Sequence, residues 1–343
     1  MDLTDRKMKI LEAIIREYIF VAEPLGSRTL SKRHDLGISA ATIRNEMSDL
    51  EDMGYLMQPH TSSGRIPTQE GYRLYVENMM QKNRIDKEQM KMIDDSLRGY
   101  GELQNILDEA LRLMSSFTRY TSIAVTPKMK ESILKNIQLV QVNQNTVLVI
   151  LVMDNGLIRN LTINTRTMVC QDKLSIISKI LNEKLSGKSI RDMDSSFASY
   201  LKNQIHEYSA LIDEVFELMH SNMLTLEDSQ ILSDGITNIF QFPEFSDISK
   251  AKAFLDMMSE KRPVMDMLNS EGIVKGNINI VIGNKNTCEI AKECSLLTAT
   301  YTLNGKTIGK IGIIGPTRMN YSKVFSIMSY ISNGLNDFIE NNF

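Results

Sequence analysis

SRTLSKRHDLGISAATIRNEMSDLEDMGYLMQPHTSSGRIPTQEGYRLY, residues 27–75, decides how this chain is read. Pro24 and Gly26 break the chain just ahead of it, and Ser27 is placed to cap a short helix ending near His34. Asp35-Leu36-Gly37-Ile38 makes a turn. Ser39 then caps a longer helix, with Ile43, Met47, Leu50 and Met53 recurring on its buried side and Gly54 positioned as its stop. Tyr55 to Gln58 and Arg65 to Pro67 can pair as strands around Pro59-His60-Thr61-Ser62-Ser63-Gly64, a tip rich in hydroxyl, Gly and Pro residues. Helix, turn, helix and hairpin in that order predict a winged helix-turn-helix, whose commonest use is to lay one helix in the DNA major groove.

The longer helix is the candidate base reader. Its outward side shows Ala41, Thr42, Arg44, Asn45 and Ser48 behind the Ser39 cap. Small residues let the backbone approach the bases, and Arg and Asn carry donor forks that suit guanine and adenine edges. Ser27, Arg28, Lys32 and Arg33 on the short helix, and His60, Thr61, Ser62 and Arg65 on the hairpin, are the candidates for phosphate contact.

Net charge is −3, which on its own argues against nucleic acid, and residues 1–84 balance 12 Lys/Arg against 12 Asp/Glu. Phosphate contacts need only one face, however. Pro24 to His34 and Leu56 to Gln69 contain no acid, while Glu46, Asp49, Glu51 and Asp52 cluster late in the longer helix.

Working outward, Thr4 is a plausible N-cap for an opening helix bearing Ile10, Leu11, Ile14, Ile15, Tyr18 and Ile19. Tyr72, Tyr75, Val76 and Met79 continue in helical spacing, and a hinge is expected in the charged stretch near 80–100. A helix from Glu102 to Phe117 follows. Ile137 to Val142, Thr146 to Met153 and Leu157 to Asn164 read as strands, the last two joined at Asn155-Gly156. A helix is expected around Leu174 to Leu185. Ile278 to Ile282, Leu296 to Leu303 and a strand through Ile314 repeat the theme around Asn304-Gly305, and a last helix runs from about Tyr321 to Ile339. Helices around a largely antiparallel sheet predict an α+β fold.

Lys188 to about Ser249 reads as mostly helical. Leu201, Ile205, Tyr208, Ile212, Val215 and Met219 alternate spacings of four and three, a heptad-like seam. It fits either a helix packed in its own domain or a dimer contact made by an inserted domain.

At 343 residues, 42% hydrophobic and 24% charged, the composition is that of a soluble protein of two or three domains. The longest apolar run, Thr146 to Met153, is too short to span a bilayer, and the charged first ten residues do not read as a signal peptide. Cys170, Cys288 and Cys294 form no CxxC pair, as expected of inert thiols in a reducing cytoplasm. Signals of catalysis or cofactors are thin. Gly305-Lys306-Thr307 lacks the earlier glycine of a phosphate loop, having Thr300 there, and Gly309, Gly312 and Gly315 do not make GxGxxG. His34, His60, His206 and His220 pair with no Cys or second His at metal spacing. No cofactor, no metal and no enzymatic activity are expected.

The stretches EPLGSRTLSKRHDLGISAATIRNEMSDLEDMGYLMQPHTSSGRIPTQEGYRLYV and GKIGIIGPTRMNYSKV, at opposite ends of the chain, resemble the bacterial family of heat-inducible transcription repressors HrcA. The resemblance implies a winged helix (1–80), a linker (81–101), a GAF-like sheet domain in two parts (102–187 and 250–343) and a mostly helical dimerising domain inserted between them (188–249). It further implies a homodimer repressing chaperone operons from an inverted-repeat operator of the CIRCE type in double-stranded DNA, with activity modulated by the chaperonin GroEL. Two other readings remain open: a metabolite-responsive regulator with its effector in the sheet domain, and an enzyme fused to a DNA-binding domain.

Overall fold

The computed structural model describes residues 3–60, 64–98, 102–128, 132–165, 170–189, 199, 213, 229–283 and 290–343. The architecture is α+β. Three helices open it: α1 (Asp5–Val21), α2 (Ser27–Arg33) and α3 (Ala40–Asp52). A two-stranded antiparallel hairpin follows, β1 (Leu56–Met57) against β2 (Ile66–Pro67), and then α4 (Gln69–Leu74), which runs into a π turn at Tyr75–Met79. Leu25 and Arg65 exchange backbone hydrogen bonds of 3.0 and 2.8 Å, tying the base of the hairpin to the start of α2. Ile10, Leu11, Ile14, Leu30, Ile43, Leu50 and Leu56 close this unit's core.

The stretch expected as a linker contains a further helix, α5 (Lys87–Leu97). Its Ile93 and Leu97 are buried in the core, which is why a charged segment is ordered as helix. After α6 (Leu103–Thr118), β3 (Thr121–Val125) enters a six-stranded sheet. Its other strands are β7 (Ile231–Asp234), β8 (Ile273–Lys275), β9 (Ile278–Ile282), β10 (Cys294–Leu303) and β11 (Lys306–Pro316), in the order β7-β3-β11-β10-β9-β8. One face, with Leu297, Ala299, Tyr301, Ile311 and Ile313, lies under α6 and the last helix, α10 (Tyr321–Asn342). The other, with Ile123, Val125, Leu296 and Ile314, is covered by α8 (Ile248–Ser259) and α9 (Lys261–Leu268). Because both faces are covered, β3 is buried at every position instead of alternating.

A single sheet was the expectation, and the structure has two large ones. Between β3 and β7 the chain leaves to form β4 (Leu134–Asn143), β5 (Thr146–Met153) and β6 (Ile158–Asn164), a separate three-stranded sheet backed by α7 (Gln171–Leu185). β5 alternates strictly between buried and half-buried residues, as a one-sided sheet requires. β4 is an edge strand, and α7 caps it. Its backbone amides at Ile137, Leu139 and Gln141 donate to Asn182, Ser178 and Gln171 at 2.8, 2.9 and 2.8 Å.

The mostly helical reading of 188–249 is corrected over its last part. There Ile231–Asp234 pairs with β3, and 3-10 turns follow at Ile236–Gln241 and Pro243–Phe245. Leu201, Ile205, Tyr208, Ile212, Val215 and Met219 lie outside the described residues. Among those described, no helix is long and apolar enough to cross a membrane.

β11 needs its glycines for packing. Tyr301 is fully buried, stands opposite Gly309 and donates from its hydroxyl to the Val125 carbonyl at 2.6 Å. A Cβ on Gly309 would collide with that hydroxyl and that carbonyl, whereas at Gly312 it would stand no nearer than 3.2 Å to any atom, the Leu268 side chain and the Leu297 carbonyl being the first met. Gly309→Ala should therefore cost about 3 kcal/mol, the upper range for overpacking, and Gly312→Ala distinctly less. Denaturant unfolding of the full chain checks the order, and equal losses would contradict this account of the tyrosine.

Candidate nucleic-acid interface

The exposed face of α3 is built by its caps. Ser39 sits outside the helix in extended backbone and accepts from the Thr42 amide at 3.1 Å, with the two hydroxyls 2.9 Å apart. At the far end Gly54 has φ +81, and the Gly54 and Tyr55 amides return to the Glu51 and Leu50 carbonyls at 2.8 and 2.9 Å. That is a Schellman closure, which the left-handed glycine permits. Between the caps Ile43, Met47 and Leu50 are buried, while Ala41, Arg44, Asn45 and Ser48 are exposed and Thr42 is half-buried. The six residues expected to read bases thus share one capped helix.

Four acids around α3 are held in ion pairs. Lys7 on α1 reaches Glu46 at 3.0 Å and Asp49 at 2.9 Å, and hydrogen bonding to Asp49 and then Glu46 raises its pKa. Glu51 is bound by Arg65 at 2.7 Å. Glu17 is bound by Arg33, with His34 Nε2 at 3.4 Å. Arg28, Lys32 and Arg44 are exposed and have no side-chain partner among the described residues. Of the exposed acids nearby, Asp35 lies in the turn before α3 and Asp52 is its last residue.

One expectation changes, and two of the expected phosphate-contact arginines prove to have partners within the protein. Gly26, not Ser27, occupies the N-cap of α2, and Ser27 is the first helical residue, half-buried and making no capping bond. Arg33 is committed to Glu17. Arg65, with its side chain only 21% exposed, is committed to Glu51. Both arginines brace the unit. His60 is exposed at the start of the hairpin tip, and Thr61 and Ser62 lie outside the described residues.

The ties Leu25–Arg65 and Arg65–Glu51 escaped the sequence reading. Gly64 was the available signal, since a Cβ there would strike the Leu25 backbone. Cys294 is buried and Cys170 exposed. Among the described residues no group of three or more His, Cys, Asp or Glu could hold a metal ion.

The family model for the HrcA protein C-terminal domain matches residues 104–325. The chain is 46% identical over 97% of its length to the heat-inducible transcription repressor HrcA of Clostridioides difficile (strain 630), covering 98% of that protein. It is 42% identical to the protein of the same name from Alkaliphilus metalliredigens (strain QYMF), with 99% of each covered. Among solved structures, a hypothetical protein determined at 2.2 Å resolution matches over 100% of both chains with a TM-score of 0.73 and 20% identity, a likeness of fold.

Arg33's hydrogen bond holds the Glu17 carboxyl below its usual range. A carboxylate shifted downward contributes stability above its unfolded value, about 4.3, and loses it as pH falls through the folded value. Glu17→Gln should therefore melt below the unsubstituted chain at neutral pH, with the gap closing in strong acid. A gap that persists there would assign the loss to packing.

Proposed function

The chain belongs to the HrcA family of heat-inducible transcription repressors, and from that premise we propose that α1 to α3 and the β1–β2 hairpin form a winged helix that binds double-stranded operator DNA. The protein is a negative regulator of heat-shock transcription. The carrying observation is the face of α3: capped at both ends, outwardly small and polar, with Arg44 lacking a partner among the described residues and three of the helix's four acids, Glu46, Asp49 and Glu51, drawn off by α1 and Arg65.

In this reading Arg44 and Asn45 meet base edges, while Ser39, Ala41, Thr42 and Ser48 allow close approach. Arg28 and Lys32, with Ser27, His60, Thr61 and Ser62 as further donors, take phosphates. One such unit covers one half-site, so a two-fold dimer on an inverted repeat doubles the contacts. Dimerisation belongs to an insertion in the GAF-like sheet domain. The pairing of β3 with β7 supports bounds other than 188–249, with the insertion starting earlier, after β3, and ending earlier, before Ile231. Repression tracks the folded fraction of repressor, which the chaperonin GroEL raises.

A metabolite-responsive regulator is the second reading. It draws on a cavity of about 350 Å³ beside β11, floored by Val125, Leu268 and Ile308 with Lys306 and Lys310 at its rim. A melting shift with a defined metabolite would favour it.

Footprinting purified protein on promoter DNA upstream of chaperone genes, with and without chaperonin, tests the main reading. A protected inverted repeat, and an active fraction that rises with chaperonin at constant affinity, are expected. No protection would sink it.

Within it, Arg44→Ala should lose on the order of 1–3 kcal/mol of specific binding and relax preference at one or two positions. Arg28→Ala and Lys32→Ala should weaken binding to all sequences and each lower the salt slope by roughly one. Arg33→Ala should leave the slope unchanged while lowering stability. Equal losses on specific and random DNA would move Arg44 to the backbone contacts.

A further inference from the structure

The carboxy-terminal stretch GKIGIIGPTRMNYSKV, residues 309–324, takes no part in reading bases, yet it is where the sheet body meets the amino-terminal unit. Arg318 lies in the turn between β11 and α10, its side chain only 9% exposed. Its Nε and Nη2 donate to the Glu244 carboxylate at 2.5 and 3.2 Å, and its Nη1 donates to the Ile19 carbonyl at 2.6 Å, 299 residues away in sequence. Ile19 is in the last turn of α1, where carbonyls run out of helical partners and the macrodipole is negative. No basic side chain of α1 occupies that turn, so Arg318 supplies the missing cation from the other end of the chain. Burial works against the guanidinium's charge, but hydrogen bonding and attraction to Glu244 outweigh it.

The neighbours of Arg318 do similar things. The Tyr321 ring lies 5.8 Å from Tyr72, and the Ser322 hydroxyl donates to the Gln81 carbonyl. From the opposite side, just past the hairpin, Gln69 donates to the Lys292 carbonyl at 3.0 Å and Arg73 to the Ile282 carbonyl at 2.8 Å. Gly283 leaves no room for a Cβ beside Gln69. The Tyr72 hydroxyl is buried in this seam without a hydrogen-bond partner among the described residues. The seam is thus less completely satisfied than a core, and its few specific bonds matter more. They hold the unit at the end of α1 and the start of α4, and the Ser322–Gln81 bond adds a third attachment, so that together they restrict its orientation.

We propose that this seam sets the angle at which each α3 is presented, making Arg318 a positioning residue that determines which half-site spacing the protein accepts. The inference rests on the dimeric, inverted-repeat reading above. Adding one base pair between half-sites moves the second by about 3.4 Å and turns it by about 34° around the duplex. A reader seated rigidly on the body cannot follow that rotation, and a reader whose seat has been loosened can.

The test uses the full chain and the promoter fragment identified by footprinting, with spacers altered one base pair at a time, plus DNA carrying a single half-site. Anisotropy titrations compare the unsubstituted protein with Arg318→Ala, Arg318→Lys and the pair Gln69→Ala/Arg73→Gln, each checked for folding by circular dichroism. The unsubstituted protein should prefer one spacer by about tenfold or more, since avidity is lost when geometry forbids joint engagement. Arg318→Ala should flatten that preference and leave single half-site affinity unchanged, with Arg318→Lys intermediate. If Arg318→Ala does not fold, the Gln69/Arg73 pair, which loosens the other end of the seam, must flatten the profile instead. Folded variants that keep the original profile overturn the inference alone. An unsubstituted protein with no spacer preference overturns it together with the dimeric reading.

Discussion

The close approach of other groups to β11 is the constraint on which the rest of this structure depends. β11 lies between β3 and β10 with both faces covered, and its glycines give space to rings that would otherwise have nowhere to go. Tyr301 fills the space above Gly309 and reaches through to the Val125 carbonyl, locking the middle of the sheet. Tyr120 fills the space at Gly315 and stacks on Phe242, ring centroids 5.2 Å apart. The Phe242 ring in turn lies 6.0 Å from the Arg318 guanidinium, which holds the end of α1. Through β11 a line of packing therefore runs from the centre of the sheet to the amino-terminal unit. A side chain added at the sheet would be felt at the seam, because close-packed interiors transmit strain instead of absorbing it.

Local features were legible in the sequence. The helical periods of α1, α3 and α10 come through, and so do the turns at Asn155-Gly156 and Asn304-Gly305. Gly156 has φ +77, and Asn304 and Gly305 have φ +50 and +72, the left-handed pairing a tight hairpin requires. Sheet membership was not legible. β4 to β6 and β9 to β11 have similar composition, and which strands pair is decided by contacts far apart in sequence. The difference shows only in the fold: β5, a continuous apolar run in sequence, alternates in burial, whereas β3 is buried throughout, as a one-sided sheet and a doubly covered one require. Of the candidate site, the α3 face was readable because helix period and capping are local. The fates of Arg33 and Arg65 were not, since Glu17 and Glu51 are brought to them by tertiary structure. The spacing of Gly309, Gly312 and Gly315 suggested a nucleotide motif for comparison, and its cause is steric.

A charge sum misleads for the same reason. Residues 1–84 carry equal numbers of acids and bases, which looks indifferent to a polyanion. What matters is which charges already have partners within the protein. Lys7 neutralises Glu46 and Asp49 from behind α3, while Arg33 and Arg65 neutralise Glu17 and Glu51 at its flanks. Arg28, Lys32 and Arg44 are left exposed, and with Glu17, Glu46, Asp49 and Glu51 compensated the potential on that face is weighted towards cations. The helix N-terminus at Ser39 adds a positive dipole end on the same face.

Topology bears on the proposed dependence on chaperonin. The Tyr301–Val125 bond joins residues 176 apart, and β3 cannot complete its pairing until both β7 and β11 have been made. In between, the chain must close a second sheet of its own, β4 to β6. Ordering such distant contacts costs loop-closure entropy before any of them is rewarded, a topology that favours slow folding. β3, apolar in the middle and destined to be buried throughout, waits exposed meanwhile. The amino-terminal unit has a largely local core, but its orientation is fixed only once Arg318 and Tyr321, near the end of the chain, reach it. In the proposed reading, such a chain can close its amino-terminal core early but seats that unit only when its last residues are in place. Help in completing the sheet, in that same reading, acts on repression through the seat.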